Sequence, residues 1–141
     1  MGTDMIDVII ADHQEVFRIE MAEVLGAADD IRIVGKPESL KQLMDTLTTV
    51  KPDVLILSRS FLLAFSKIRR MLKRHHSALL VLTDENDPIA YVRLLPAHGI
   101  LYRSMEGSAM VDMVRHTART EPLAHDLSSD ALENPPTRPA A

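Results

Sequence analysis

The sequence predicts an α/β domain: a parallel sheet covered by helices on both faces. Three observations lead there. Apolar, β-branched runs recur along the chain, and each is followed by a stretch with apolar residues at helical spacing. The runs are continuous rather than alternating, as strands buried on both faces require. The length, 141 residues, is that of one domain able to close a full hydrophobic core.

Taken in order, "MIDVIIA" is a buried strand bounded by charge. In "DHQEVFRIEMAEVLGAA", Phe17, Met21, Val24, Leu25 and Ala28 fall on one helical face. "IRIVG" is the second strand. Ser39 with Gln42 forms a capping box, and Leu40, Leu43, Met44 and Leu47 mark the helix behind it. "DVLIL" is the third strand, and Phe61, Phe65, Ile68 and Leu72 mark the next helix. "ALLVL" is the fourth strand; Asp87 and Pro88 open a short helix that Pro96 stops. "GILY" is the fifth strand, and Met110, Val111, Met113 and Val114 lie in a last helix ending near Arg119. After Glu121 the periodicity ends, and residues 121–141 read as a flexible tail or linker behind a domain of residues 1–120.

Composition excludes several classes. The formal net charge is −4, which gives no general pull toward nucleic acid or anionic membrane. The absence of cysteine removes disulfides, thiolate metal sites and cysteine nucleophiles. "MGTDMID" is too acidic for a signal peptide, and Ile6 stands where a myristoylation motif needs Ser or Thr. No apolar run is long enough to span a bilayer, so a cytoplasmic protein is expected.

In an open parallel sheet the chemistry sits at the carboxyl ends of the strands. Asp12 and His13 follow the first strand, Ser58 the third, Thr83 the fourth and Arg103 the fifth. With "VIIADHQEVFR", "KPDVLIL", "LLVLT" and "HGILYRS" in this order and spacing, residues 5–119 resemble a bacterial response-regulator receiver domain. The resemblance is to the subclass usually followed by a helix-turn-helix. It implies a flavodoxin-like sheet of strand order 2-1-3-4-5 and a place in two-component signalling.

The resemblance also implies a pocket, and this sequence departs from it. Such a pocket has two acids after the first strand that help hold Mg²⁺, a phosphoacceptor aspartate after the third, a hydroxyl after the fourth and a lysine after the fifth. Here Asp12 is the one retained metal ligand, and His13 replaces the second acid. Ser58 replaces the phosphoacceptor, Thr83 keeps the hydroxyl, and Arg103 replaces the lysine. Mg²⁺ wants several oxygens in octahedral geometry, and a serine without an adjacent base is a weak nucleophile. The expectation is a pseudo-receiver: no enzyme, no cofactor, no metal. The alternative is a phosphorelay receiver using a non-standard acceptor, Ser58 or Asp12.

Other features have two readings each. Asp12, His13 and Ser58 suggest a hydrolytic trio, but neighbours on an extended chain point opposite ways. "KIRRMLKRHH" reads as the wet face of an amphipathic helix or as a patch for nucleic acid or an acidic partner. "DENDP" reads as helix capping or as a metal loop. A homodimer is expected, with DNA contacted only through a C-terminal effector domain and a signalling protein as a further partner. Interface candidates are Leu62, Leu63, Tyr91, Leu94, Leu95, Tyr102, Met110 and Met113. Within the pocket, Arg103 is expected to reach across Thr83 and Ser58 to Asp12; pairing with Asp84 or Glu85 is the rival.

Overall fold

Strand propensity and helical periodicity segregate cleanly along the chain. The computed structural model describes residues 5–84 and 97–119. Its strands are β1 (Ile6–Ala11), β2 (Ile31–Gly35), β3 (Val54–Ser58), β4 (Ala78–Thr83) and β5 (Gly99–Tyr102). Its helices are α1 (Glu15–Gly26), α2 (Leu40–Thr49), α3 (Phe65–His75) and α4 (Gly107–Arg119). All neighbouring strands pair in parallel, in the order β2-β1-β3-β4-β5. This is the flavodoxin-like topology, with β1 at the centre of the crossover. The helix expected after Asp87 and the tail after Glu121 lie outside the described residues.

Alternation within each apolar run divides the core in two. Ile9, Leu55, Leu57, Leu79 and Val81 point to the face covered by α2 and α3, where Leu43, Leu47, Phe65, Ile68 and Leu72 meet them. Val8, Ile10, Ile56, Leu80 and Leu82 point to the other face, against Met21 and Leu25 of α1 and Met110 and Val114 of α4. The central strands β3 and β4 are buried at every position. That two-sided burial is why their sequences are continuously apolar.

Local chemistry sets the ends. Ser39 Oγ accepts from Gln42 N–H at 3.2 Å, while Gln42 Oε1 accepts from Glu38 N–H at 3.0 Å. The reciprocal bond thus falls one residue earlier than in the usual capping box. Helix α3 ends at His76, whose φ of 57° is left-handed, and Ser77 N–H donates to Leu72 O at 2.9 Å. This is a Schellman ending built without glycine. At the start of α4, Gly107 is required by close approach: a Cβ there would lie 2.6 Å from Val24 Cγ1 of α1.

Four expectations are corrected. Phe61, read as the first apolar marker of α3, lies instead in a separate 3₁₀ turn, Arg59–Ala64. Its tighter winding buries Phe61 and leaves Leu63 fully exposed. Val24, placed on the core face of α1, is 40% exposed, at the edge of the helix facing Gly107. Met110, an interface candidate, is 4% exposed and belongs to the core, because α4 turns it onto the sheet beside Val114. Arg69, read within a wet helix face, is buried at 1% exposed, since it follows Ile68 on the inward side of α3. Among the other candidates, Tyr102 is half-buried, and Met113 is half-buried with its Sδ 3.6 Å from where a Cβ on Gly99 would stand. The side chain of Leu62, and Tyr91, Leu94 and Leu95, lie outside the described residues.

Candidate functional site

The carboxyl edge of the sheet gathers the residues that end the strands. Asp12, Ser58 and Thr83 are all buried there, because Ser58 and Thr83 end the buried strands β3 and β4 and Asp12 directly follows the buried end of β1. Arg103 follows β5 and is fixed by its own N–H, which donates to Thr83 O at 3.0 Å. Together they line a pocket of about 190 Å³, with His13, Gln14, Ser60 and Asp84 at its walls.

Arg103 spans this pocket. Its Nη1 donates to Asp12 Oδ2 at 2.7 Å and its Nη2 to Asp12 Oδ1 at 3.0 Å, a bidentate pair. Nη2 also lies 3.3 Å from Ser58 Oγ, and Nε lies 3.4 Å from Asp84 Oδ1. The guanidinium plane sits 4.7 Å above the centre of the Phe17 ring. The expected pairing with Asp12 and its rival with Asp84 therefore coexist. Glu85 lies outside the described residues. One planar fork can serve both because its five N–H donors point in several directions, which a lysine ammonium could not match at these distances.

Asp12 is held from behind as well. Its Oδ1 accepts from Gln14 N–H at 3.1 Å, closing an Asx turn that leads into α1. Its carbonyl accepts from Arg18 Nη1 at 2.8 Å, and Arg18 is itself buried and within 3.5 Å of Glu38. Ser58 Oγ receives Ser60 N–H at 3.3 Å and lies 3.1 Å from Ser60 Oγ. Ser58 Oγ is thus engaged by Ser60 and Arg103, and none of these contacts is with a general base.

His13 does not complete a catalytic trio. Its ring stacks on Phe61 at 4.4 Å and 10° between planes, and its Nδ1 lies 3.0 Å from Glu38 O. The ring thus forms the rim of the pocket. Sequence reasoning named Asp12, His13, Ser58, Thr83 and Arg103, and all five line one pocket. It missed Phe17 beneath the guanidinium, Arg18 behind Asp12 and Phe61 against His13. The helical spacing that placed Phe17 and Phe61 in the core carries no signal for these side-on contacts.

The residues present do not fit a divalent cation. Both oxygens of Asp12 are taken by a guanidinium, and Asp84 faces the same cation. Among the described residues no three His, Asp or Glu side chains converge as a metal site.

In fold, this sheet is similar to that of solved response-regulator receiver domains. The isolated receiver domain of RcsB from Salmonella enterica serovar Typhimurium, solved with the phosphomimetic BeF3⁻, superposes with a TM-score of 0.71. It is 19% identical, over 88% of this chain and 99% of that one. The signal receiver domain of NarL from Mycobacterium tuberculosis gives a TM-score of 0.69 at 16% identity, over 84% of this chain and all of that one. In sequence, the Ycf55-like protein of Synechocystis sp. is 26% identical over 120 residues. That match covers 81% of this chain but 21% of the relative, so the chain spans about a fifth of that protein's length. No protein-family model matches the chain.

Proposed function

We propose that this chain is a pseudo-receiver, a phosphorylation-independent interaction module of bacterial signal transduction. The observation that carries the reading is the bidentate Arg103–Asp12 pair. It puts a fixed protein cation where the receiver resemblance would have Mg²⁺ and a lysine. Serine replaces the acceptor carboxylate, and its Oγ contacts Ser60 Oγ and Arg103. The module is residues 1–120, with residues 121–141 as linker or tail. It acts in the cytoplasm, without catalysis of its own, in a regulator of transcription or signalling. Contact with DNA is proposed only through a C-terminal effector domain. Among the described residues no helix is long and apolar enough to cross a membrane.

The test is labelling with acetyl phosphate, read by mass spectrometry, beside calorimetric titration with Mg²⁺ and beryllofluoride. The expected result is no phosphorylated species and no saturable binding in the micromolar range. Incorporation on Ser58 or Asp12 would replace this reading with that of a receiver using an unusual acceptor. A Ser58→Asp variant should also stay inactive, because Arg103 continues to hold Asp12.

A further inference from the structure

Helix α1 breaks the rule that a surface helix is apolar on one side only. Phe17, Met21, Ala22 and Leu25 form its inward arc. Yet Val16 is 70% exposed and Ile19 41% exposed on the outward arc. At 100° per residue these two fall among Glu15, Glu20 and Glu23, all exposed. None of the three glutamates has an ion-pair partner among the described residues. The outward face of α1 thus carries an apolar pair among three acids with no ion-pair partner among the described residues, with Arg32 and Lys36 bordering it on the Ile19–Glu23 side.

The opposite face of the sheet carries the complement. Residues 54–83 contain six of the sixteen Lys and Arg and none of the twenty Asp and Glu. Lys67, Arg70 and Arg74 are exposed along one side of α3, and none has an ion-pair partner among the described residues. Beside them lies Leu63, 101% exposed, at the mouth of a groove of about 350 Å³ lined by Ala64, Ser66, Lys67 and Arg70. An apolar anchor, a groove and three exposed cations face one way; two apolar side chains and three exposed acids face the other.

We infer that these two surfaces bind each other between copies of this chain: α1 of one protomer docks on the Leu63–α3 surface of the next. The occupant is a second copy because the chain supplies both halves of the charge match and an apolar centre for each. Exposed ion pairs alone contribute little, so Val16 and Ile19 entering the groove provide the contact area while the charges set orientation. A nucleic acid is a poorer match, since among the described residues the basic face offers a base no exposed Phe, Tyr or Trp to stack on, only His76 at the end of α3. Helices α1 and α3 cover opposite faces of the sheet, so the contact is heterologous and each docked copy leaves one of each surface open. The biological use of the contact rests on the reading of the chain as an interaction module. The contact itself needs no phosphoryl donor.

The experiment is sedimentation velocity of the full chain over a concentration series, at about 50 mM and about 500 mM NaCl, which change the screening length severalfold. Two charge-reversed variants accompany it, Glu20→Lys/Glu23→Lys on α1 and Lys67→Glu/Arg70→Glu on α3. All four side chains are exposed, and circular dichroism checks that both variants are folded. The parent should associate beyond a dimer at low salt and dissociate at high salt. Each variant alone should need a concentration at least about tenfold higher to associate, and an equimolar mixture of the two should associate again. A parent that stays monomeric at low salt, variants that associate like the parent, or a mixture that stays monomeric would each overturn the inference. So would an oligonucleotide or an acidic peptide binding α3 while the parent fails to self-associate. Each of these leaves the assignment of the pocket intact, whereas phosphorylation of the pocket would leave this contact intact.

Discussion

Replacing Arg103 by alanine removes the cation from a carboxylate that has no access to water. Asp12 is fully buried, and Arg103 gives it two charge-assisted hydrogen bonds at 2.7 and 3.0 Å while remaining only 15% exposed itself. Breaking a buried ion pair by deleting one partner costs roughly 3–5 kcal/mol. Two features moderate that here. Gln14 N–H stays on Oδ1, and the deletion opens the pocket to water that can solvate the carboxylate. Loss of the guanidinium from the Phe17 ring adds about 0.5–1 kcal/mol. The expected net loss is about 2–3 kcal/mol. Urea unfolding followed by circular dichroism measures it, with the slope unchanged if only the native state is affected. A cycle with Asp12→Asn should show a coupling of at least about 1.5 kcal/mol, because the charge on Asp12 is what makes the arginine necessary. A loss below about 0.5 kcal/mol, or a coupling near zero, would refute the pair as the element that holds the pocket.

Further outcomes follow from other contacts. Gly107→Ala should lower stability by about 1 kcal/mol, since β-branched Val24 cannot turn its Cγ1 away cheaply, and Val24→Ala in the same chain should recover most of it; additive losses in the double variant would contradict this. Arg115 hydrogen-bonds Asp30 through Nε and Nη2 and holds its carboxyl below the ordinary value of 3.8. The contribution is complete above that value and is lost as pH falls through the lowered one, so Arg115→Ala should flatten the acid limb of a melting-temperature profile. Burial, with Lys51 and then Arg74 nearby, lowers the His75 imidazole below 6.5. The unfolded chain then takes up this proton first, so stability should fall as pH drops below about 6.5 toward the lowered value, and a His75→Asn variant should lose that slope. An unchanged slope in the variant would assign the effect to another group.

The sequence by itself determined the sheet, and the reason is physical. Strands buried on both faces must be continuously apolar, as in Val54–Leu57 and Ala78–Leu82, and helices on a sheet must repeat near 3.6, as in Leu43 and Leu47. It also determined which side chains share the pocket, because strand ends in a parallel sheet converge on one edge; Asp12, Ser58, Thr83 and Arg103 could be named from that rule alone. What only the tertiary structure decided is direction and distance across elements. The separation of 91 residues between Asp12 and Arg103 leaves the choice between Asp12 and Asp84 open, and the fold satisfies both with one guanidinium. His13 stacks on Phe61, which is carried by the 3₁₀ turn that follows β3. Arg69 is buried, and Val16 and Leu63 exposed, against what residue type alone suggests. Periodicity fixes which residues share a face, but packing against neighbouring elements fixes how deep that face lies.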